Sequence, residues 1–417
     1  MKWVFFIFIL ISGVVGSAQT ITQLSFEGNE KIKDNFLRKI VKVTVNEMLD
    51  STLIEADINR LKRLPAISNA TYKIEKVSEN EYKVTYTLEE NFTIIPSANV
   101  YTTNNDEFAF RVGLYEFNGF GSNIGFGGYF QKDIYYSYGL NFNAPYLFSN
   151  KMGIALNFQD LTTQEPVFFD NTTADYKYNN LSVEVLGLYE FNFKNRIAAG
   201  LNVFSEKYDF IRGATNIDVA QNLDVNKLSY KLKYEYNDVS YFFYFLDGFK
   251  NLLNFQYVTS TEESLPQFSI VYNDFIYYKR FGEKGNWANR LRLGLATNNN
   301  SPFAPFAVDN NLNIRGVGNS IDRGTAAIVL NTEYRYMLYE KDWFVLQGNA
   351  FIDAGTWRNP GGDFGDFSKK QNVRVYPGLG LRFIHKRIYN AVFRIDYGYG
   401  ITDQASNGLV FGIGQYF

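Results

Sequence analysis

The sequence predicts a mainly β membrane protein, a transmembrane 16-stranded antiparallel β-barrel preceded by one small α+β domain. Three observations carry that prediction. From about Pro96 onward the chain reads as aromatic-rich segments of roughly ten residues separated by turns, in a sequence with 39 Phe, 31 Tyr and only 20% charged residues. Behind the N-terminal apolar run there is no stretch of about eighteen apolar residues, so no second helical span is encoded. Strands that alternate between lipid and water escape hydropathy averaging. Finally, the connections alternate between short and long, as a barrel with two unlike rims requires.

Taken in order, Met1-Lys2-Trp3, the apolar run Val4 to Val15 and Gly16-Ser17-Ala18 read as a signal peptide over residues 1–18, cleaved between Ala18 and Gln19. The apolar run is short for a membrane anchor, which needs roughly 20 residues. No Cys follows it, which excludes a lipoprotein signal.

Residues 19–92 form the small domain. Ile21, Leu24 and Phe26 start it as a strand and Gly28-Asn29 turns the chain. Phe36, Leu37, Ile40 and Val41 follow helical spacing. A second helix is expected from Thr52, with Thr52 and Glu55 as a capping box and an apolar stripe of Leu53, Ile54, Ile58, Leu61 and Leu64 before Pro65 stops it. Two strands close the unit, Ala70 to Val77 and Tyr82 to Leu88, the second alternating Tyr82, Val84, Tyr86, Leu88.

Residues 93–417 supply sixteen candidate strands, starting near Ser97, Phe108, Ser122, Tyr135, Lys151, Asn180, Arg196, Lys227, Leu246, Phe268, Trp287, Thr325, Phe344, Asn372, Asn390 and Gly408. An even number suits a closed bacterial barrel. Short connections at Asn118 to Gly121, Ser149-Asn150, Phe193-Lys194, Gly282 to Gly285, Glu340 to Asp342 and Lys386 to Ile388 belong to one rim. Long polar ones, expected at Asp160 to Tyr176, Ile211 to Val225 and Arg358 to Gln371, belong to the other. Tyr241 to Phe245, five consecutive aromatics, read as part of an interfacial girdle.

One segment stands apart. Asn298 to Arg323 is polar, rich in Pro, Gly and Asn, and too long for a hairpin turn. It holds Asn313-Ile314-Arg315-Gly316-Val317-Gly318-Asn319, and it is followed by a strand carrying Glu333 and Arg335 on one face and by Phe351-Ile352-Asp353-Ala354-Gly355. The chain ends in Leu409-Val410-Phe411-Gly412-Ile413-Gly414-Gln415-Tyr416-Phe417. This ordered set resembles the C-terminal half of the BamA/TamA superfamily of outer-membrane assembly and translocation proteins. That family's loop usually has Val before the Arg and an aromatic after the Gly, where this chain has Ile314 and Val317. Phe117 to Gly121 and Asn143-Ala144-Pro145-Tyr146 resemble the family's first hairpins, and the β-α-α-β-β order of residues 19–92 looks like one POTRA domain.

The resemblance implies a protein of the bacterial outer membrane, with the POTRA domain in the periplasm, that helps insert or fold outer-membrane proteins without ATP or cofactor. Its partners would be outer-membrane lipids, nascent outer-membrane proteins as clients, and periplasmic chaperones or lipoproteins at the POTRA domain, where an exposed sheet edge can accept a strand. It also implies a weak seam between the first strand, near Ser97 to Thr103, and the last, which contains Gly408, Gly412 and Gly414. Those glycines fit either marginal closure or close packing against a plug loop. The alternatives are a dedicated translocator pore of the two-partner secretion type, whose members usually carry two POTRA domains and a plug helix, and an accessory structural subunit.

Pleat parity adds two expectations. Asn331, Glu333 and Arg335 share one face of the twelfth strand, and Asn349, Phe351 and Asp353 one face of the thirteenth; as polar faces they point inward. Across a short turn at Lys341 to Trp343, Glu333 lies opposite Phe351 with Asp353 diagonal, roughly 7–8 Å away. One guanidinium can bridge such a pair, so Arg315 is expected to fold into the lumen, with Gly316 and Gly318 letting its loop approach the wall. In the last strand, Leu409, Phe411, Ile413 and Phe417 are expected on the lipid face, as closing strand and targeting signal, with Val410, Gly412, Gly414 and Tyr416 inward.

Catalytic chemistry has little to stand on. The lone His385 sits beside Lys386-Arg387, the chain has no Cys, and no Gly-rich phosphate loop is visible. A formal net charge of −2 argues against a nucleic-acid partner. The reading is therefore no enzyme, no metal and no cofactor.

Overall fold

The structure, a computed structural model, describes residues 19–417 apart from 103–107, 170–171, 218, 243–244, 264, 302–303, 309–312, 318–321, 389–390, 404 and 415–416. The signal peptide at 1–18, together with Gly318, Gln415 and Tyr416, lies outside the described residues.

The small domain is built from β1 (Thr20–Glu27), α1 (Asp34–Ile40), α2 (Ser51–Lys62), β2 (Ile67–Lys76) and β3 (Glu81–Glu90). Its sheet runs β1-β3-β2, with β1 parallel and β2 antiparallel to the central β3. Val84, Tyr86 and Leu88 turn inward from β3 onto Ile54, Ile58, Leu61 and Leu64, as the alternation and the helical stripe require. The capping-box expectation fails: α2 starts at Ser51, and its cap is Asp50, whose carboxylate accepts the N–H groups of Thr52 and Leu53. A carboxylate at the N-cap satisfies two orphan donors by itself. Asp57 is a second acid with a structural task. It is buried in the helix and accepts the backbone N–H groups of Lys42 and Val43 and the Tyr86 hydroxyl.

Sixteen strands follow in one antiparallel sheet. The first eight are β4 (Ile94–Thr102), β5 (Phe108–Gly119), β6 (Ile124–Lys132), β7 (Tyr136–Ala144), β8 (Met152–Phe169), β9 (Thr172–Asn192), β10 (Asn195–Gly213) and β11 (Asn222–Phe242). Next come β12 (Phe245–Ser260), β13 (Phe268–Phe281) and β14 (Gly285–Ala296), then a two-stranded ribbon of β15 (Phe306–Val308) and β16 (Asp322–Gly324) inside the long segment. The wall resumes with β17 (Ala326–Glu340), β18 (Phe344–Arg358), β19 (Val373–His385), β20 (Val392–Tyr399) and β21 (Asn407–Ile413). Each wall strand pairs with its neighbour along the chain, β14 joining β17 across the ribbon.

Outward positions are exposed and apolar, such as Leu181, Val183, Val185, Tyr189 and Phe191 on β9, whereas inward ones include buried polar groups. This is the alternation of a barrel with a lipid-facing exterior. The sheet does not close by hydrogen bonds: among the described residues no ladder joins β21 to β4.

The loop at Asp160 to Tyr176 does not exist as expected, because β8 runs to Phe169 and β9 begins at Thr172. The polar residues taken for a loop lie on long strands that rise beyond the apolar band. Ile211 to Val225 is likewise partly strand, and Arg358 to Gln371 contains two short 3-10 turns. Tyr241 lies not in a lipid-facing girdle but under the small domain, with the Arg63 guanidinium over its ring at 6.0 Å.

Candidate functional site

The inner wall of β17 to β21 is organised in rows fixed by register. One row reads Glu333, Phe351, Gly378, Gly398, Gly408 across the five strands. The next reads Arg335, Asn349, Gly380, Asp396, Val410, and beyond it Gln347, Arg382, Arg394 and Gly412 stand side by side. On the other side Asn331 faces Asp353. Carboxylates, guanidiniums and bare backbone thus alternate over a small area. The loop carrying Arg315 lies on it.

Arg315 is fully buried. Its Nε and Nη2 donate to Asp353 Oδ2 and Oδ1 at 2.8 and 2.9 Å, a two-pronged pairing, and its backbone N–H donates to Oδ2 at 2.9 Å. Its Nη1 donates to Glu333 Oε2 at 2.7 Å and lies 3.7 Å from Asp396 Oδ1. The guanidinium carbon sits 3.6 Å from the centre of the Phe351 ring. Planar, delocalised and weakly hydrated, a guanidinium suits all of these contacts at once. The aromatic partner therefore comes from the wall, while Ile314 and Val317 pack with Val308, Val329, Trp357 and Tyr376 in a small apolar cluster.

Three further arginines complete the electrostatics. Arg335 Nε donates to Glu333 Oε1 at 2.5 Å, Arg382 Nη2 reaches both Glu333 oxygens at 2.7 Å, and Arg394 Nη1 donates to Asp396 Oδ2 at 3.1 Å. Asn331 bridges wall and loop, donating to Asp353 Oδ1 at 2.8 Å and to the Asn313 carbonyl at 2.7 Å. Isolated charges in such a site would be prohibitive, and interlocked, hydrogen-bonded pairs make it tolerable.

Glycine gives the loop its seat. A Cβ on Gly398 would lie 2.2 Å from the Arg315 carbonyl oxygen, and Gly316 itself has φ +93° with its α-carbon against Gly398. Gly412 makes room for the Arg394 guanidinium, which a Cβ would meet at 2.6 Å. These glycines in β20 and β21 thus have packing reasons.

The structure brings Arg315, Gly316, Glu333 and Asp353 together. Leu409 and Phe411 lie outward and exposed, with Ile413 half-buried. Phe417 is not on the lipid face. After β21 ends at Ile413 the chain turns at Gly414, whose φ is +93°, and the Phe417 ring lies inside, 5.6 and 5.7 Å from the guanidiniums of Arg290 and Arg335 and against an apolar patch containing Val239, Ile276, Tyr278 and Ala288. Parity cannot be carried past a left-handed residue. Asp396, Arg382, Arg394 and Ser406 were missed by sequence reasoning, although charged residues at period two inside aromatic strands, as in Arg394-Ile395-Asp396, are a signal that could have found them.

A second cluster joins the two domains at the short-turn rim. Arg60 of α2 donates to Glu190 Oε1 at 2.6 Å, both buried, while Glu190 Oε2 accepts the Tyr146 hydroxyl at 3.0 Å. Arg63, the C-cap of α2, donates to the carbonyls of Phe193, Asn237 and Val239 at 2.9, 3.0 and 3.2 Å. It stands between two cavities, about 640 and 790 Å³ in volume, one reaching into the lumen and the other running under the start of β2 to the ends of β19 and β20.

Comparison with known proteins places both parts. Residues 19–91 match the POTRA family, described as a surface antigen variable number repeat, and residues 116–417 match the Omp85 superfamily domain. Among solved structures, BamA from Haemophilus ducreyi lacking POTRA domains 1-3 is similar with a TM-score of 0.54 at 15% identity, over 94% of this chain and 83% of that one. CdiB from Escherichia coli gives 0.62 at 10% identity, over 94% and 76%, and CdiB from Acinetobacter baumannii 0.62 at 12%, over 95% and 74%. At such identities the likeness is one of fold, and the family matches carry the assignment: this chain belongs to the Omp85 superfamily, an outer-membrane β-barrel with a POTRA domain.

Proposed function

We propose that this protein assists the insertion and assembly of outer-membrane proteins through its POTRA domain and a lateral seam between β21 and β4. The observation that carries the reading is the missing ladder. Every other pair of wall neighbours is hydrogen-bonded, whereas β21, seven residues long, has among the described residues a partner on one side alone. An unpaired edge templates an incoming strand, and the outer edge of POTRA strand β2, which pairs only with β3, offers another. In this reading the POTRA domain faces the periplasm, where it meets chaperones or lipoproteins, and clients reach the barrel beneath it. Arg315, with Glu333 and Asp353, locks the long loop into the lumen so that the pore stays filled while the seam works.

Depletion followed by outer-membrane proteomics tests this. Loss of many barrel proteins is the expected result. Loss of a single protein would instead identify a dedicated translocator of the two-partner secretion type, and no loss an accessory subunit.

A further inference from the structure

The closing hairpin β20–β21 is thinly supported by the sheet, since among the described residues β21 has one ladder and β20 is eight residues long. Its connection is tied to β19 by the Ile401 N–H on the Val375 carbonyl at 3.0 Å, and further support comes from its inner side. The Ser406 hydroxyl, at the entry to β21, lies 2.6 Å from the Val317 carbonyl oxygen and 3.1 Å from that of Gly316, which share its one proton. The Ser406 N–H donates to the Tyr376 hydroxyl at 3.1 Å, placing the hydroxyl toward the loop. The backbone of Arg315 and Gly316 lies directly on Gly398 of β20 and extends to Gly408 of β21, where a Cβ would be 3.5 Å from the Gly316 carbonyl oxygen. The other end of the same loop segment is fixed to β17 and β18 by Arg315.

We infer that the Arg315 loop is an inner clasp for the closing hairpin, with Ser406 as its catch: Gly316 and Val317 hold the entry of β21, whose far edge has no ladder among the described residues. Opening the seam then requires release of the loop from Ser406, and displacement of the loop frees the hairpin. The strut is anchored on β17 and β18 by short buried ion pairs, on β20 by a longer one, Arg315 Nη1 lying 3.7 Å from Asp396 Oδ1, and at the entry to β21 by a hydroxyl, so its last anchor is its weak end. Release occurs at the weak end. The inference rests on the seam proposed above, and its test reads strand opening rather than client assembly, so either can fail without the other.

The test is hydrogen exchange of the full chain in lipid nanodiscs, following amides 407–413 with β9 and β10 as internal references. Ser406→Ala should speed exchange in 407–413 roughly three- to tenfold, the loss of about one hydrogen bond, leaving β9 and β10 unchanged, and Ser406→Thr should restore protection. Gly398→Ala, whose methyl group collides with the Arg315 carbonyl, should speed the same amides, whereas Gly408→Ala, which meets only an ordinary contact, should not. Heat-modifiable mobility on gels checks that each barrel is folded; if Ser406→Ala fails that check, the contrast between Gly398→Ala and Gly408→Ala decides alone. Wild-type exchange in both Ser406→Ala and Gly398→Ala, or equal loosening by Gly398→Ala and Gly408→Ala, overturns the clasp.

Discussion

At the scale of single residues, the guanidinium of Arg315 must have its charge answered inside the wall, because it is fully buried. Two carboxylates answer it at hydrogen-bonding distance. Arg315→Ala should therefore cost on the order of 3–5 kcal/mol, the usual penalty for removing one partner of a buried pair, and should raise protease sensitivity within residues 298–323. Glu333→Ala should act on the same network, so the double variant should be well short of additive; wild-type protease resistance in Arg315→Ala would refute the lock. The meeting of Arg315 with Glu333 and Asp353 was legible because pleat parity and a short turn fix who faces whom. Asp396 was not, since its strand follows Lys386 to Ile388 and a row across five strands needs every register in turn. In the POTRA domain, burial raises the Asp57 pKa above its ordinary 3.8, although the N–H groups of Val43 and Lys42 and the Tyr86 hydroxyl pull it down. A raised folded-state value means that Asp57 contributes its stability fully below about pH 3.8 and loses it as pH rises through the folded value. The stability of fragment 19–92 minus that of its Asp57→Asn variant should thus be larger near pH 4 than near pH 7, which urea unfolding at the two pH values measures once circular dichroism shows the fragment folded.

At the scale of elements, the sixteen strands were readable because alternation and turns are local, and the starts agree within a few residues except where strands outgrow the membrane. The sequence puts the start of the sixth barrel strand near Asn180, whereas that strand, β9, begins at Thr172. Asp175, Lys177 and Asn179 face outward there, and an outward polar residue looks the same in a loop and in a strand above the bilayer. The closing strand was misread for a different reason. Gly414 breaks the pleat, which only the dihedral angle reveals. Phe417 then belongs to the interior, and Phe417→Ala should loosen the lumen around Arg290 and Arg335 rather than the lipid contact. Faster exchange of β14 and β17 amides in that variant, with outer-face lipid labelling unchanged, would register it. Gly412→Val should displace the Arg394 guanidinium and lower the melting temperature, whereas Gly282→Ala, a turn glycine with open space around it, should cost only backbone strain from its φ of +59°.

At the scale of the whole molecule, the POTRA domain is joined to the barrel by buried contacts, which sequence alone could not show because residues such as Arg60 and Glu190 are 130 positions apart. Arg60→Ala leaves Glu190 with Arg196 at 3.3 Å, so the barrel should stay intact while the domain loosens; cleavage of the chain near Asn91 by added protease measures this. The wall itself is uneven. It rises to 21 residues at β9 and β11 and falls to eight and seven at β20 and β21. The apolar exterior follows, spanning Leu181 to Phe191 on β9 but only Leu409 to Phe411, with Ile413 half-buried, on the last strand. Beside β21 a bilayer matched to β9 would meet a shorter apolar band, a mismatch worth fractions of a kcal/mol per Å, and in the proposed reading that strain would fall beside the seam. Short-chain phospholipids, already thin, should leave that strain unstored, and long-chain ones should deepen it.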